Sequence, residues 1–162
     1  MMWIVMTLVI LLLLLPVLVG LLISPYQQVT RVELIKAPAE AVWNALSDFS
    51  QQAQWRTDLK SMQMLDDDDG LRWIEQIANQ RPLVLRKVKE LPLKELLVEM
   101  TQGSSKGTRH ARMNAVPGGT RVTFTEMLET RSPLGRIKGR MGSSLDQRLD
   151  HFIQQLKAHF VA

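Results

Sequence analysis

From Trp3 to Ile23 the chain has no polar rhythm at all: WIVMTLVILLLLLPVLVGLLI is uncharged and almost wholly aliphatic. As a helix it spans about 32 Å, matching a hydrocarbon core of about 30 Å. Its sixteen Leu, Ile and Val favour the bilayer by about 5–10 kcal/mol in total, an upper bound because not all sit centrally. A cleaved signal peptide fits less well. There is no basic leading region, the apolar run is long, and Pro25 follows the only small residue, Ser24, at a plausible cut. The pattern therefore predicts one transmembrane helix over 1–24, a short joint over 25–28 and a folded domain over 29–162.

Beyond the joint the rhythm changes. VTRVELI (29–35) alternates with period two and reads as a strand. APAEAVWNALSDF then shifts to helical spacing through Ala39, Val42, Trp43 and Leu46, with Pro38 and Glu40 at the start. SQQAQWRTDL predicts a second short helical piece. From Met62 to Glu129 six β segments follow: SMQML, LRWIEQIA, LVLRKVKEL, ELLVEM, TRHARMNAV and TRVTFTEMLE. Turn-forming residues separate them, and hairpin order predicts an antiparallel meander.

The last hairpin admits two loops. A three-residue loop over 117–119 sets Asn114 opposite Val122 and Arg112 opposite Phe124. A two-residue Gly118-Gly119 turn pairs Ala115 with Val122, Met113 with Phe124 and Ala111 with Glu126. Gly-Gly favours the two-residue turn, and a one-residue slip would turn polar residues inward. The expected register therefore has Glu126 on the apolar face and gathers His110, Arg112, Asn114, Thr123 and Thr125 on the other.

The final apolar pattern runs through Leu134, Ile137, Met141, Leu145, Leu149, Phe152, Ile153, Leu156 and Phe160. This predicts one long amphipathic helix packed on the sheet. Its first half is oddly built. Gly135, Gly139 and Gly142 share one face and together cost about 2–3 kcal/mol in helix propensity. Arg136, Lys138 and Arg140 crowd the end where the dipole disfavours cations.

Composition narrows the chemistry. The chain has 162 residues, 20 Lys and Arg against 16 Asp and Glu, and no charged side chain in the first thirty positions. No cysteine is present, which excludes disulfides and thiolate chemistry. The expected location is a single-pass protein of a bacterial inner membrane; Arg31 and Lys36 flank the apolar segment, so the positive-inside rule leans toward a cytoplasmic domain, and a periplasmic one stays open. DDDDG (66–70) fails the calcium-loop spacing, because Leu65 would hold position one and Gln76 position twelve. The three histidines have no ligand spacing, and no nucleophile–base pair or phosphate loop appears. Neither a catalytic residue, a metal nor a cofactor is assigned.

The order of elements is strand, two short helices, six strands, long helix. IKAPAEAVWNALSDFSQQAQW resembles the opening of the START-like superfamily in its polyketide cyclase/dehydrase-like (SRPBCC) branch. VPGGTRVTFTEMLE resembles that branch's last hairpin. The resemblance covers about residues 29–160. It implies an α+β helix-grip fold, β-α-α-β6-α, in which a bent antiparallel sheet wraps the C-terminal helix around a cavity. It also implies a hydrophobic small molecule or lipid as ligand, and the apolar N-terminal segment adds the membrane as partner.

On that fold the expected ligand contacts are Trp55, Trp73, Met113, Val122, Phe124 and Glu126, with the Gly135, Gly139 and Gly142 face leaving room at the cavity mouth. Core packing is the plainer role for the aromatic residues, an arginine partner the plainer role for Glu126, and close backbone packing, or a helix that starts nearer Ser143, the plainer reading of the glycines. Arg136, Lys138 and Arg140 are expected at the membrane surface, facing anionic headgroups. Two alternatives stay open. A cyclase- or hydrolase-like enzyme would need several titratable groups converging in the cavity. A ribosome or RNA module would use Arg81, Arg86, Lys87 and Lys89, but no stacking motif accompanies them, so no nucleic-acid partner is expected.

Overall fold

The computed structural model describes residues 1–65, 70–141 and 144–161. The acidic run Asp66–Asp69 and the predicted cavity residue Gly142 lie outside the described residues. The elements are α1 (Met2–Leu22), β1 (Tyr26–Ile35), α2 (Ala39–Ser47), a 3₁₀ turn (Phe49–Gln54), β2 (Leu59–Leu65), β3 (Arg72–Ile77), β4 (Leu83–Leu91), β5 (Glu95–Gln102), β6 (Ser105–Val116), β7 (Gly119–Thr130), α3 (Pro133–Met141) and α4 (Leu145–His159). All seven strands form one antiparallel sheet ordered β1-β7-β6-β5-β4-β3-β2. Shifts of register near Leu59/Ser61 and Lys87/Lys89 mark bulges, which increase local bend and twist. The arrangement is the α+β helix-grip fold, with an apolar helix placed before it.

The core lies between the sheet and α2, the 3₁₀ turn and α4. Val42, Leu46 and Phe49 meet Trp73, Val122 and Phe124 from the sheet and Leu149, Phe152 and Leu156 from α4. Phe49 stacks on Trp73 with ring centroids 3.9 Å apart. α4 is tied to the sheet at its far end by Gln155, whose Oε1 accepts the Asp58 backbone N–H at 3.3 Å.

Two expectations are corrected. The last hairpin pairs Met113 with Val122, Ala111 with Phe124 and Arg109 with Glu126. The turn is Pro117-Gly118, two residues long, rather than Gly118-Gly119. Pro at the first central position and Gly at the second, with φ +87° at Gly118, suit a type II turn. Gly119 serves another purpose: a Cβ there would stand 2.1 Å from the Ile35 carbonyl oxygen, so the residue lets β7 approach the end of β1. Because the true register differs by two residues from the expected one, every side chain keeps its face. Glu126 is buried with Val122 and Phe124, and Met127 is exposed.

The final helix is two helices. Ser144 caps α4 through a capping box: its Oγ accepts the Gln147 N–H, and Gln147 Oε1 accepts the Ser144 N–H, both at 3.2 Å. α3 starts separately, with Pro133 at its first position and Ser132 Oγ accepting the Gly135 N–H at 3.2 Å. Lys138 and Arg140 thus occupy the last turn of α3, where the dipole favours cations. The unfavourable charge placement expected for one long helix disappears once the helix divides.

α1 is long and apolar enough to cross a membrane, and Gly20 is its one buried residue. That glycine touches α3: a Cβ would stand 2.3 Å from the Pro133 carbonyl oxygen. Arg136 closes the same junction. Its Nη1 donates to the carbonyls of Gly20 and Ile23, each at 3.4 Å, and its Nε to that of Thr130 at 2.9 Å. Carbonyls at a helix C-terminus lack intrahelical partners, so one guanidinium joins the end of α1 to the end of β7.

Candidate ligand-binding cavity

Between the sheet and the N-terminal part of α4 lies a cavity of about 290 Å³. Its apolar walls come from Ile77, Leu83, Met100, Leu128, Leu145 and Phe152. Its polar groups come from strand positions that face inward by alternation. Glu75 on β3, Arg109 on β6 and Glu126 on β7 are all inward, and Arg56 follows the 3₁₀ turn.

These charges are organised in pairs. Arg56 is 5% exposed and Glu75 2% exposed, and Arg56 Nη1 lies 2.8 Å from Glu75 Oε1. Arg56 Nη2 also reaches Asp58 Oδ2 at 3.3 Å. Trp73 Nε1 donates to Glu75 Oε1 at 3.1 Å. Arg109, directly across from Glu126 in the ladder, donates to its carboxylate. Arg109 also sits over the Phe152 ring, its Cζ 4.1 Å from the centroid. Buried ions are tolerated when paired and hydrogen-bonded, and each carboxylate here has an arginine.

Burial opposes the charge on Arg56, but Glu75 and Asp58 outweigh it and hold the guanidinium above its ordinary range. Burial likewise acts to raise Asp58, yet Arg56 prevails and holds that carboxyl below its usual range. Arg148 differs. Burial pushes it below the ordinary arginine value, Glu126 acts against that, and Arg109 adds to it.

The expected site residues divide among several places. Glu126 lines the cavity. Trp73 and Phe124 line a much smaller apolar void of about 30 Å³ deeper in the core, bordered also by Glu75, Arg109 and Phe152. Met113 and Val122 are buried core residues, 3% and 0% exposed, and neither borders these two spaces. Trp55 packs edge-on against Phe152, centroids 5.4 Å apart, beside an open cleft with His151 and His159. Gly135 and Gly139 border an outer cleft beneath α3 rather than the cavity. A Cβ on Gly135 would come within 3.1 Å of Ser104 Oγ and Thr130 Cγ2, whereas one on Gly139 would find only Gln27 Nε2, at 4.0 Å. Of the three expected membrane-surface cations, Arg136 is taken up by backbone carbonyls; Lys138 and Arg140 are exposed.

Arg56, Glu75, Arg109 and Arg148 were missed as cavity residues. Glu75 and Arg109 had a usable signal, since both sit at inward positions of strands that the alternation already located. The Pro-Gly turn would have set Arg109 opposite Glu126. Nothing local marks Arg56 or Arg148. Among the described residues no group of three His, Cys, Asp or Glu is placed to hold a metal ion.

Comparison with known proteins agrees with this architecture. A START superfamily protein from Mycobacterium smegmatis superposes with a TM-score of 0.65 at 15% identity, covering 82% of this chain and 96% of that one. The Zhui aromatase/cyclase from a Streptomyces species superposes with a TM-score of 0.65 at 13% identity, covering 83% and 93%. An uncharacterized protein from Rhizobium leguminosarum gives 0.66 at 17%, covering 83% and 94%. At such identities these likenesses show the fold. No curated protein matches the sequence significantly. The family model described as polyketide cyclase / dehydrase and lipid transport matches residues 26–161, and with the seven-stranded sheet gripping α4 this establishes that the chain belongs to that family, within the START-like superfamily.

Proposed function

We propose that the protein binds a hydrophobic small molecule or lipid in the cavity between the sheet and α4, and that α1 holds this domain, residues 29–162, at a membrane. One observation carries the reading: an unfilled space of about 290 Å³ with mainly apolar walls inside an otherwise packed core. That volume lies just below the range of ligand pockets, about 300–1,000 Å³, and supports a small or single-chain molecule. The uncharged helix and the basic flank support a single-pass anchor with a cytoplasmic domain. Native mass spectrometry of the full chain purified from its own membranes, with extraction of the bound fraction, tests both parts. A discrete small hydrophobic adduct is expected, and the protein should resist carbonate and high-salt washing. A ligand-free protein with a solvent-filled cavity would overturn the binding reading; release by salt would overturn the anchor.

A second reading rests on the convergence of Arg56, Asp58, Glu75, Arg109, Glu126 and Arg148 around one space. Titratable groups brought together in a pocket are what a cyclase-like enzyme requires. Against it, each of the carboxylates already accepts from an arginine, which leaves His151 of the lining as the candidate acid or base. Turnover of a bound poly-β-ketone analogue, abolished by His151→Gln in a folded variant, would establish the enzyme instead.

A further inference from the structure

Arg148 is the one cavity arginine whose guanidinium is not matched. Arg56 pairs with Glu75 and Asp58, and Arg109 with Glu126. Arg148 Nε is buried without a hydrogen-bond partner, and Arg148 makes no ion pair among the described residues. A buried donor without a partner costs about 1–3 kcal/mol, more when charged. Such a group in a native fold calls for an acceptor that the chain itself does not supply.

Its position says what that acceptor is. Arg148 lines both the cavity and the outer cleft beneath α3, where the two adjoin. Among the described residues the cleft is lined by Arg81, Lys138 and Arg148 and by no carboxylate. A molecule reaching from the cavity into the cleft would thus meet mainly apolar walls and already paired ions at its inner end, and three cations without a paired carboxylate among the described residues at its outer end. The cleft also adjoins α3, which packs on the end of α1 through Gly20 and Pro133.

Building on the ligand-binding reading above, we propose that Arg148 receives the anionic headgroup, a carboxylate or a phosphate, of a single-chain amphiphile whose apolar part fills the cavity. A planar guanidinium fork suits either oxyanion. With α1 spanning the bilayer, the headgroup end of the site lies beside the membrane surface, so an amphiphile enters tail first and its charge stops where cavity and cleft adjoin.

The test uses the full chain in nanodiscs of neutral phosphatidylcholine, with tritiated dodecanoate and tritiated dodecanol as direct probes and empty nanodiscs as background. Dodecanoate should bind at least about 10-fold tighter than dodecanol, and dodecyltrimethylammonium should not compete. Arg148→Met should weaken dodecanoate about 10- to 100-fold, the loss of charge-assisted hydrogen bonds, and leave dodecanol unchanged. Its melting temperature should hold or rise, because a partly buried charge without an ion-pair partner is removed. Arg148→Lys, which keeps the charge but loses the fork, should narrow the acid-to-alcohol ratio and covers a methionine variant that fails to fold. Competition by dodecyl phosphate identifies the oxyanion: stronger than dodecanoate means phosphate, weaker means carboxylate. Equal binding of acid and alcohol, or an unchanged ratio in the folded variants, overturns the headgroup proposal while the cavity reading stands. Binding of neither probe overturns the cavity reading itself.

Discussion

The two halves of the interior are built on opposite principles. In the inner half Phe49, Trp73, Val122 and Phe124 close against α2 and α4 and leave a void of only about 30 Å³. In the outer half, between the sheet and the start of α4, the same concave face carries Glu75, Arg109 and Glu126, and about 290 Å³ stays open. Aliphatic and aromatic side chains can interdigitate to crystal-like density. Paired ions cannot collapse further without losing their hydrogen-bond geometry, so they act as struts around a space. The comparison teaches that the larger space lies where ion pairs are set among apolar walls.

The largest effects should separate the halves directly. Trp73→Ala should cost about 3–5 kcal/mol in denaturant unfolding, because its ring is 1% exposed and stacks on Phe49. Leu128→Ala removes a half-buried side chain from the cavity wall and should fall below the about 2 kcal/mol at which fully buried Leu→Ala losses begin. Equal losses at the two positions would mean that the outer half is packed as tightly as the inner.

Removing one strut is the next test. Glu75→Gln leaves Arg56 with Asp58 alone and weakens the acceptor of the Trp73 indole N–H. Breaking a buried pair from one side costs about 3–5 kcal/mol at most; the retained Asp58 contact should keep this loss below that of Trp73→Ala. Replacing Arg56 and Glu75 together by Met and Leu should recover much of the loss in the same melts. A double variant as weak as the single one would show that the pair itself stabilises the fold.

Smaller effects probe α3. Gly135→Leu meets Ser104 and Thr130 at once and should destabilise by about 1–3 kcal/mol. Gly139→Leu faces open space and should be neutral or gain up to about 1 kcal/mol from helix propensity. Thermal melts of the pair distinguish a glycine needed for contact from one that is merely tolerated.

The smallest effect is on pH. Arg56 holds the Asp58 carboxyl below its usual value, so the folded state binds that proton less readily than the unfolded chain. Its stabilisation is therefore complete above the unfolded value, about 3.9, and is lost as pH falls below that through the lowered folded value. An acid titration of the melting temperature should show a component that disappears in Asp58→Asn. Persistence of the full slope would assign acid sensitivity to other carboxylates.

Much of the fold was legible before any coordinate. Local periodicity located all seven strands, α2 and the apolar helix, because alternation and helical spacing are properties of neighbouring residues. The division of the last helix was legible too: Ser144-x-x-Gln147 is a capping box, hidden because the apolar steps run on across it. The hairpin slipped by two residues because the choice lay between a three-residue loop and a Gly118-Gly119 turn, and the two-residue Pro117-Gly118 turn was not among them. The faces survived that error, since strand side chains repeat every two residues, but the partner of Glu126 did not.

What the sequence determined by itself is the set of elements, their order and which side chains point inward, all consequences of periods of 2 and 3.6 residues along one chain. What only the tertiary structure decided is who meets whom. Arg56 and Glu75 are nineteen positions apart, and Arg148 meets the cavity from a different helix. Their pairing, or lack of it, depends on how strands and α4 close around a shared space. Charge interactions act through that space and not along the chain, so the apolar half of the interior could be read from pattern, whereas in the ionic half the pattern marks the inward strand positions of Glu75, Arg109 and Glu126 but neither Arg56 nor Arg148.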